Sequence, residues 1–168
     1  MSVTYYQLAI LGNVRALENL AHLLDKGGEY ARANKIEEAA LLDARLFPDM
    51  FPFARQVRMV CDMSRLAVAW LTGKEAPKYA DDEKSFAELK TRIANSIAWL
   101  KTFAEADFAD SATREVRLPW NPDKAYRGEV FLLQHAVPNI YFHLSTAYNL
   151  LRHNGVLIGK ADYLGKVG

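Results

Sequence analysis

VPNIYFHLSTAYNLLRHNGV, residues 137–156, is the stretch on which the reading of the fold turns. Pro138 suits a first helical turn, where its missing N–H would have had no partner. Arg152 and His153 stand where positive charge complements the carbonyl end of a helix, and Gly155 followed by Val156 fits a left-handed cap closed by an apolar residue. The segment therefore reads as one helix with both ends specified locally. At about 100 degrees per residue, Asn139, His143, Thr146, Ala147 and Leu150 share one face.

Working outward, three more amphipathic helices precede it. In the first, Tyr5, Leu8, Leu11, Val14, Leu17, Leu20, Ala21 and Leu24 recur at three- and four-residue steps, and Gly27-Gly28 is expected to loosen its end. A short helical piece follows around Ile36 to Leu42. Pro48 and Pro52 punctuate LFPDMFPFARQ, and a second long helix is predicted from about Pro52 to Leu71, with Phe53, Val57, Val60, Ser64, Ala67 and Leu71 inward. The polar connection TGKEAPKYADDEKS is long enough to cross the end of a bundle. Asp81 or Asp82 is the expected cap of the third helix, whose stripe is Phe86, Leu89, Ile93, Ile97, Leu100 and Phe103. Helical periodicity stops between Asp107 and Gln134. There REVRLPW alternates, Asn121-Pro122-Asp123 reads as a turn, and GEVFLL reads as a return strand, together a short β-hairpin or extended segment. Four apolar stripes in one chain of 168 residues predict an all-α four-helix bundle forming a single domain, 1–168.

Bulk properties exclude several classes. The net charge is +1 and no basic stripe carries interleaved aromatics, which argues against nucleic acid and against an acidic membrane surface. The single cysteine, Cys61, excludes an internal disulfide and fits a reducing, cytoplasmic setting. The amino-terminal apolar run is too short for a secretory signal, and no stretch approaches the roughly 18 to 20 apolar residues of a membrane span. No Ser or Cys motif suggests a nucleophilic triad, and Cys61 reads as a buried, inert thiol. GKADYLGK resembles a phosphate loop only weakly. It is better read as a tail docked by Tyr163 and Leu164.

The chemistry that remains is centred on His143. His153, ten residues further on, lies about a quarter turn off that face, so the two cannot chelate one ion, and its position makes it a capping residue. Four residues either side of His143 stand Asn139 and Ala147. Alanine cannot ligate, and Asn is a poor ligand for zinc or nickel. A buried imidazole hydrogen-bonded to Thr, Asn or Gln is the favoured reading over a metal ligand. Arg45, Asp49 and Arg55 frame RLFPDMFPFAR, where they would line a pocket mouth or, through Asp49, cap the turn and form an ion pair. His22 and His135 are expected to be surface or hydrogen-bonded residues.

VPNIYFHLSTAYNLLRHNGVLIGKADYLG, with LLDARLFPDMFPFARQV and SFAELKTRIANSIAWL, resembles a bacterial family of unknown function in the DinB/YfiT-like superfamily. The resemblance spans nearly the whole chain. It implies a four-helix bundle in up-down-down-up order and a homodimer. Many superfamily members hold a divalent metal with three histidines, one on helix two and two spaced by four on helix four. Some are transferases or isomerases that use a low-molecular-weight thiol. Setting LRHNG against the family ending puts His143 at the second histidine, Asn139 at the first and Thr146 at a family Gln. Gln56 is nearest the helix-two ligand. One histidine of three is kept.

The expected pocket is thus Gln56, Asn139, His143 and Thr146, able to satisfy itself by hydrogen bonds or to orient a small polar ligand, with no metal required. Were a metal held, zinc or nickel on His143 with Asn139 and Gln56 would be the arrangement. Two functions follow: a ligand-binding or structural dimer with a degenerate metal site, or a metal- and thiol-dependent transferase or isomerase centred on His143.

Overall fold

The structure is a computed structural model that describes residues 3–166. A π-helical turn, Gln7–Leu11, leads directly into α1 (Gly12–Ala33). The short α2 (Glu38–Leu42) is followed by the long α3 (Phe53–Thr72) and α4 (Phe86–Leu100). A 3-10 turn, Glu105–Phe108, precedes an antiparallel pair, β1 (Glu115–Leu118) and β2 (Asn121–Arg127). Then α5 (Gly128–Phe131), a second π-turn (Leu132–Ala136) and α6 (Val137–His153) make one continuous helical run, and α7 (Lys160–Leu164) follows.

Helix α3 sits between α4 and α6, and α1 packs against α4 and α6. All six residues read as the inward stripe of α3 are essentially inaccessible, from Phe53 to Leu71. On α4 the stripe of Phe86, Leu89, Ile93 and Leu100 is equally buried, while Ile97 is half-buried. Particular contacts fix the neighbours. Phe53 lies 5.8 Å from Phe86, ring to ring, and Asp62 accepts from Arg92 at 2.7 Å. Asp25 pairs with Lys90, and Glu18 with Lys101 at 3.6 Å. Trp70 meets Phe131 at 5.7 Å. One contiguous core draws on every long helix and on Val116 and Leu118 of β1.

Several boundaries differ from the sequence expectation, each for a local reason. Gly27 and Gly28 do not end α1; both are buried inside it, where Phe86 and Leu151 press against the helix. The cap of α4 is Ser85, whose hydroxyl accepts from the Glu88 N–H at 3.1 Å, and the Glu88 carboxylate accepts from the Lys84 N–H at 2.5 Å. Asp81 instead pairs with Arg92. Asn121-Pro122-Asp123 belongs to β2 and not to the turn, and the GEVF that read as a return strand is helical.

Pro138 therefore enters a helix already under way. A proline there has no N–H to donate, and its ring crowds the carbonyl four residues back. The π-turn just before it relieves this: the Val137 N–H bonds Leu132 O, five residues back. At the other end Gly155 has φ +92°, its N–H meets Arg152 O, the Val156 N–H meets Leu151 O, and Val156 is buried, as the left-handed cap requires. The tail docks on α1 and α6. Asn19 donates to Tyr163 O at 3.0 Å, His22 bonds Asp162 at 2.9 Å, and the Tyr163 hydroxyl bonds Ser145 at 2.9 Å. Tyr163 is the anchor; Leu164 stays exposed.

Candidate functional site

Gln56 comes from the first turn of α3 and His143 from the middle of α6, on helices that pack directly on each other. Their side chains meet: His143 Nδ1 lies 2.7 Å from Gln56 Oε1. The other end of the Gln56 amide is also held, with Nε2 donating to Phe51 O at 3.1 Å. These two bonds fix the protonation pattern. An amide whose nitrogen gives to a carbonyl presents its oxygen to the imidazole, so Nδ1 carries the hydrogen and Nε2 the lone pair. Burial lowers the His143 pKa, and no charged partner offsets it, so the ring is neutral near pH 7. The Phe51 ring lies parallel to the imidazole, 7° between planes and 6.4 Å between centroids, and Phe142 meets it edge-on at 5.2 Å.

The other two residues expected at this site are turned to other tasks. Thr146 is buried, but its hydroxyl donates at 2.7 Å to Phe142 O, one turn back on its own helix. Asn139 is half-buried and makes no side-chain hydrogen bond among the described residues. Hydrogen bonds thus join Gln56 to His143 and leave Asn139 and Thr146 outside the pair.

A transition metal of the kind the superfamily carries does not fit these donors. Zinc and nickel take imidazole, thiolate or carboxylate, three or more together. Here one imidazole nitrogen is free, and the Gln56 oxygen is occupied by Nδ1–H. Among the described residues no three His, Cys, Asp or Glu side chains converge. Cys61 is fully buried and burial pushes its thiol up to about 12, so it stays protonated.

The turn before α3 also departs from expectation. Arg45 donates to Met50 O, and Arg55 lies over the Phe51 ring at 3.8 Å. Asp49 is exposed and forms no ion pair among the described residues. His135 is half-buried among Trp120, Tyr126 and Phe131, and its Nε2 is buried without a partner.

A second polar constellation, which the periodicity concealed, clasps the connection between α3 and α4. Arg92 is 4% exposed and Arg65 3% exposed, both on helices. Arg92 bonds Asp62 at 2.7 Å, Glu83 at 2.8 Å and Ala80 O at 2.9 Å. Arg65 bonds Asp62 and Pro77 O and lies over the Tyr79 ring at 4.0 Å. A third arginine, Arg58, donates to the Glu83 carboxylate at 2.7 Å and its carbonyl at 2.8 Å. Burial raises the Glu83 pKa, but the hydrogen bond and charge of Arg92, with Arg58, outweigh it and hold the carboxyl below its ordinary value. The spacing of Asp62 and Arg65, one turn apart, was the available signal; their further partners, Arg92 and Pro77, lay 30 and 12 residues away and gave none. This clasp borders a cleft of about 790 Å³ that is separate from His143 and Gln56.

Residues 5–164 match a family described as a domain of unknown function, DUF1993. A crystal structure described as a DinB family member protein from Shewanella denitrificans is 43% identical to this chain. The likeness covers 96% of this chain and 92% of that one, with a TM-score of 0.93. No curated protein matches the chain. No helix among the described residues is long and apolar enough to cross a membrane. A match over nearly the whole chain, with a mostly helical fold and one two-stranded sheet, makes this chain a member of the DUF1993 family, a DinB-like family of unknown function.

Proposed function

We propose that this chain is a single-domain, cytoplasmic DinB-like protein that acts as a homodimer, binding a small polar ligand or serving a structural role, with no resident metal. In this reading the superfamily's metal site has become a hydrogen-bonded pair, His143 with Gln56. The observation that carries it is the 2.7 Å bond itself, with Gln56 oriented from behind by Phe51 O. Such a pair fills the donor and acceptor capacity that a metal would otherwise occupy, and it cancels no buried charge because it carries none.

The reading includes an up-down-down-up order for α1, α3, α4 and α6. Contact pairs support it: residues 53 and 62 meet 86 and 92, whereas 25 and 18 meet 90 and 101, and 56 and 70 meet 143 and 131. Exposed Leu11, Leu133 and Phe142 support a dimer, because large apolar side chains in water favour burial against a second copy. Sedimentation equilibrium at micromolar concentration measures this, and a monomer would overturn it.

Elemental analysis of the untagged protein tests the metal-free reading. The expected result is substoichiometric zinc and nickel. Stoichiometric metal that disappears in His143→Ala would instead support the thiol-dependent transferase. A thermal-shift series with zinc, nickel and small thiols gives the second measurement, because a ligand specific to the folded state raises its stability.

A further inference from the structure

A smaller cleft of about 410 Å³ opens between α2, the first turn of α3 and the end of the connection before α4, and its lining is unusually rich in cations. Arg45, Arg55, Arg58 and Lys84 border it, against two carboxylates, Asp43 and Glu83. Glu83 is already shared by Arg58 and Arg92. Arg45, Arg55 and Lys84 form no ion pair among the described residues, and Asp43 at the rim forms none either.

Three of these cations are fixed by contacts of their own. Arg45 is tied to Met50 O, Arg55 rests on the Phe51 ring at 3.8 Å, and Arg58 spends Nε and Nη2 on Glu83. A guanidinium held this way loses little side-chain entropy on binding, and its remaining N–H groups form the planar fork that suits an oxyanion. The floor of the cleft adds a field of the same sign. Pro52 and Ala54 also line it, at the amino-terminal, positive end of the 20-residue α3. There Phe53 N–H is taken by Ala44 O and Gln56 N–H by Pro52 O, while the intervening Ala54 and Arg55 N–H groups have no backbone acceptor.

We propose that this cleft binds the phosphate group of a small phosphorylated molecule. A phosphomonoester carries about −1.5 to −2 at neutral pH, which matches four cations set against two carboxylates. A carboxylate would leave cationic charge unbalanced, and the 410 Å³ volume suits a small molecule and not a polymer. Gln56 and His143 do not line the cleft, so the inference stands apart from the metal question.

Isothermal titration of the full chain with inorganic phosphate and with methyl phosphate, in a low-salt amine buffer, tests it. Saturable binding at one site per chain is expected for both. Arg55→Gln and Lys84→Gln should each weaken it about tenfold, since each removes a charge-assisted contact. Lys78→Gln, on the other side of the connection, should leave it unchanged. Lys84→Gln guards against misfolding, because the Lys84 ammonium is exposed and makes no side-chain bond among the described residues. Absence of saturable heat up to about 20 mM, or affinity unchanged from the parent in both variants, overturns the proposal. Malonate binding as tightly as phosphate overturns the assignment to phosphate.

Discussion

His143 carries two opposed effects, each large enough to measure. Removing the ring leaves Gln56 Oε1 buried and unpaired, and such a group costs about 1–3 kcal/mol. His143→Ala is therefore expected to lower the unfolding free energy by about 2–4 kcal/mol once the cavity is included, read from the urea midpoint. Gln56→Leu should cost a similar amount, because it fills the space but leaves two groups, the Phe51 carbonyl and the His143 Nδ1–H, without their partner. The same ring makes stability depend on pH. Burial lowers the pKa of His143, and that of His135, below the unfolded value of about 6.5. Between the folded and unfolded values the unfolded chain binds more protons, so the stability from the neutral rings is complete above about pH 6.5 and is lost as the pH falls below it. Urea midpoints from pH 7.5 to 5 should fall, and His143→Ala should flatten that slope. A midpoint independent of pH over this range would contradict the buried, neutral imidazole.

Among the elements, α1 offers the sharpest contrast. A glycine inside a helix costs about 1 kcal/mol relative to alanine, so Gly27→Ala and Gly28→Ala would both stabilise an isolated helix. In the bundle they part. A Cβ at Gly27 would lie 2.9 Å from Phe86 Cε1 and 3.1 Å from Leu151 Cδ2, both in the core, whereas one at Gly28 meets Phe86 no closer than 3.8 Å. Gly28→Ala is expected to raise the melting temperature, by about 0.5–1 kcal/mol of stability. Gly27→Ala should lower it, by about 1–2 kcal/mol of overpacking. Equal effects would mean that α4 does not approach α1 as closely as the Phe86 contact requires. The same proximity explains why the glycine pair is not a stop signal: the sequence shows missing side chains but not what occupies the space.

For the whole molecule, the connection between α3 and α4 is held by its ends and by arginines that reach it from the helices. Arg92→Met keeps the volume of the side chain but leaves Asp62 and Glu83 without their main cation. Breaking such a pair from one side costs about 3–5 kcal/mol, and the variant should also be cut faster by trypsin near Lys78 and Lys84. Glu83 gives the acid counterpart to His143. Its pKa is held below the ordinary value, so its contribution is present above the unfolded value of about 4.3 and is lost as the pH falls through the folded one. The loss of stability as the pH falls below about 4.3 should therefore be shallower in Arg92→Met, where Glu83 no longer has its main cation. If trypsin cuts both chains at the same rate, the clasp does not hold the connection.

The residue pattern determined much of this protein. Period 3.6 placed α3, α4 and α6 within a few residues and found α1 but not its end at Ala33, because a stripe of buried side chains is a local repeat that survives in any bundle. Pro52, Gly155 and Val156 marked ends through backbone preferences that need no neighbour. His143 stood out as a polar residue in an apolar run, whereas Gln56 entered only through the family resemblance. What it could not decide depended on contacts that the hydrophobic period does not encode, some local and some between groups far apart along the chain. Thr146 turned to its own backbone because Phe142 O lay within reach. GEVF became helix because α5 continues into α6 through a π-turn, a geometry that periodicity does not encode. Arg92, one residue before the inward Ile93, became the hub of the clasp only once Asp62 and Glu83 were brought to it. Local preference fixes where helices form, while the pairing of charges and the closing of clefts follow from which helices touch.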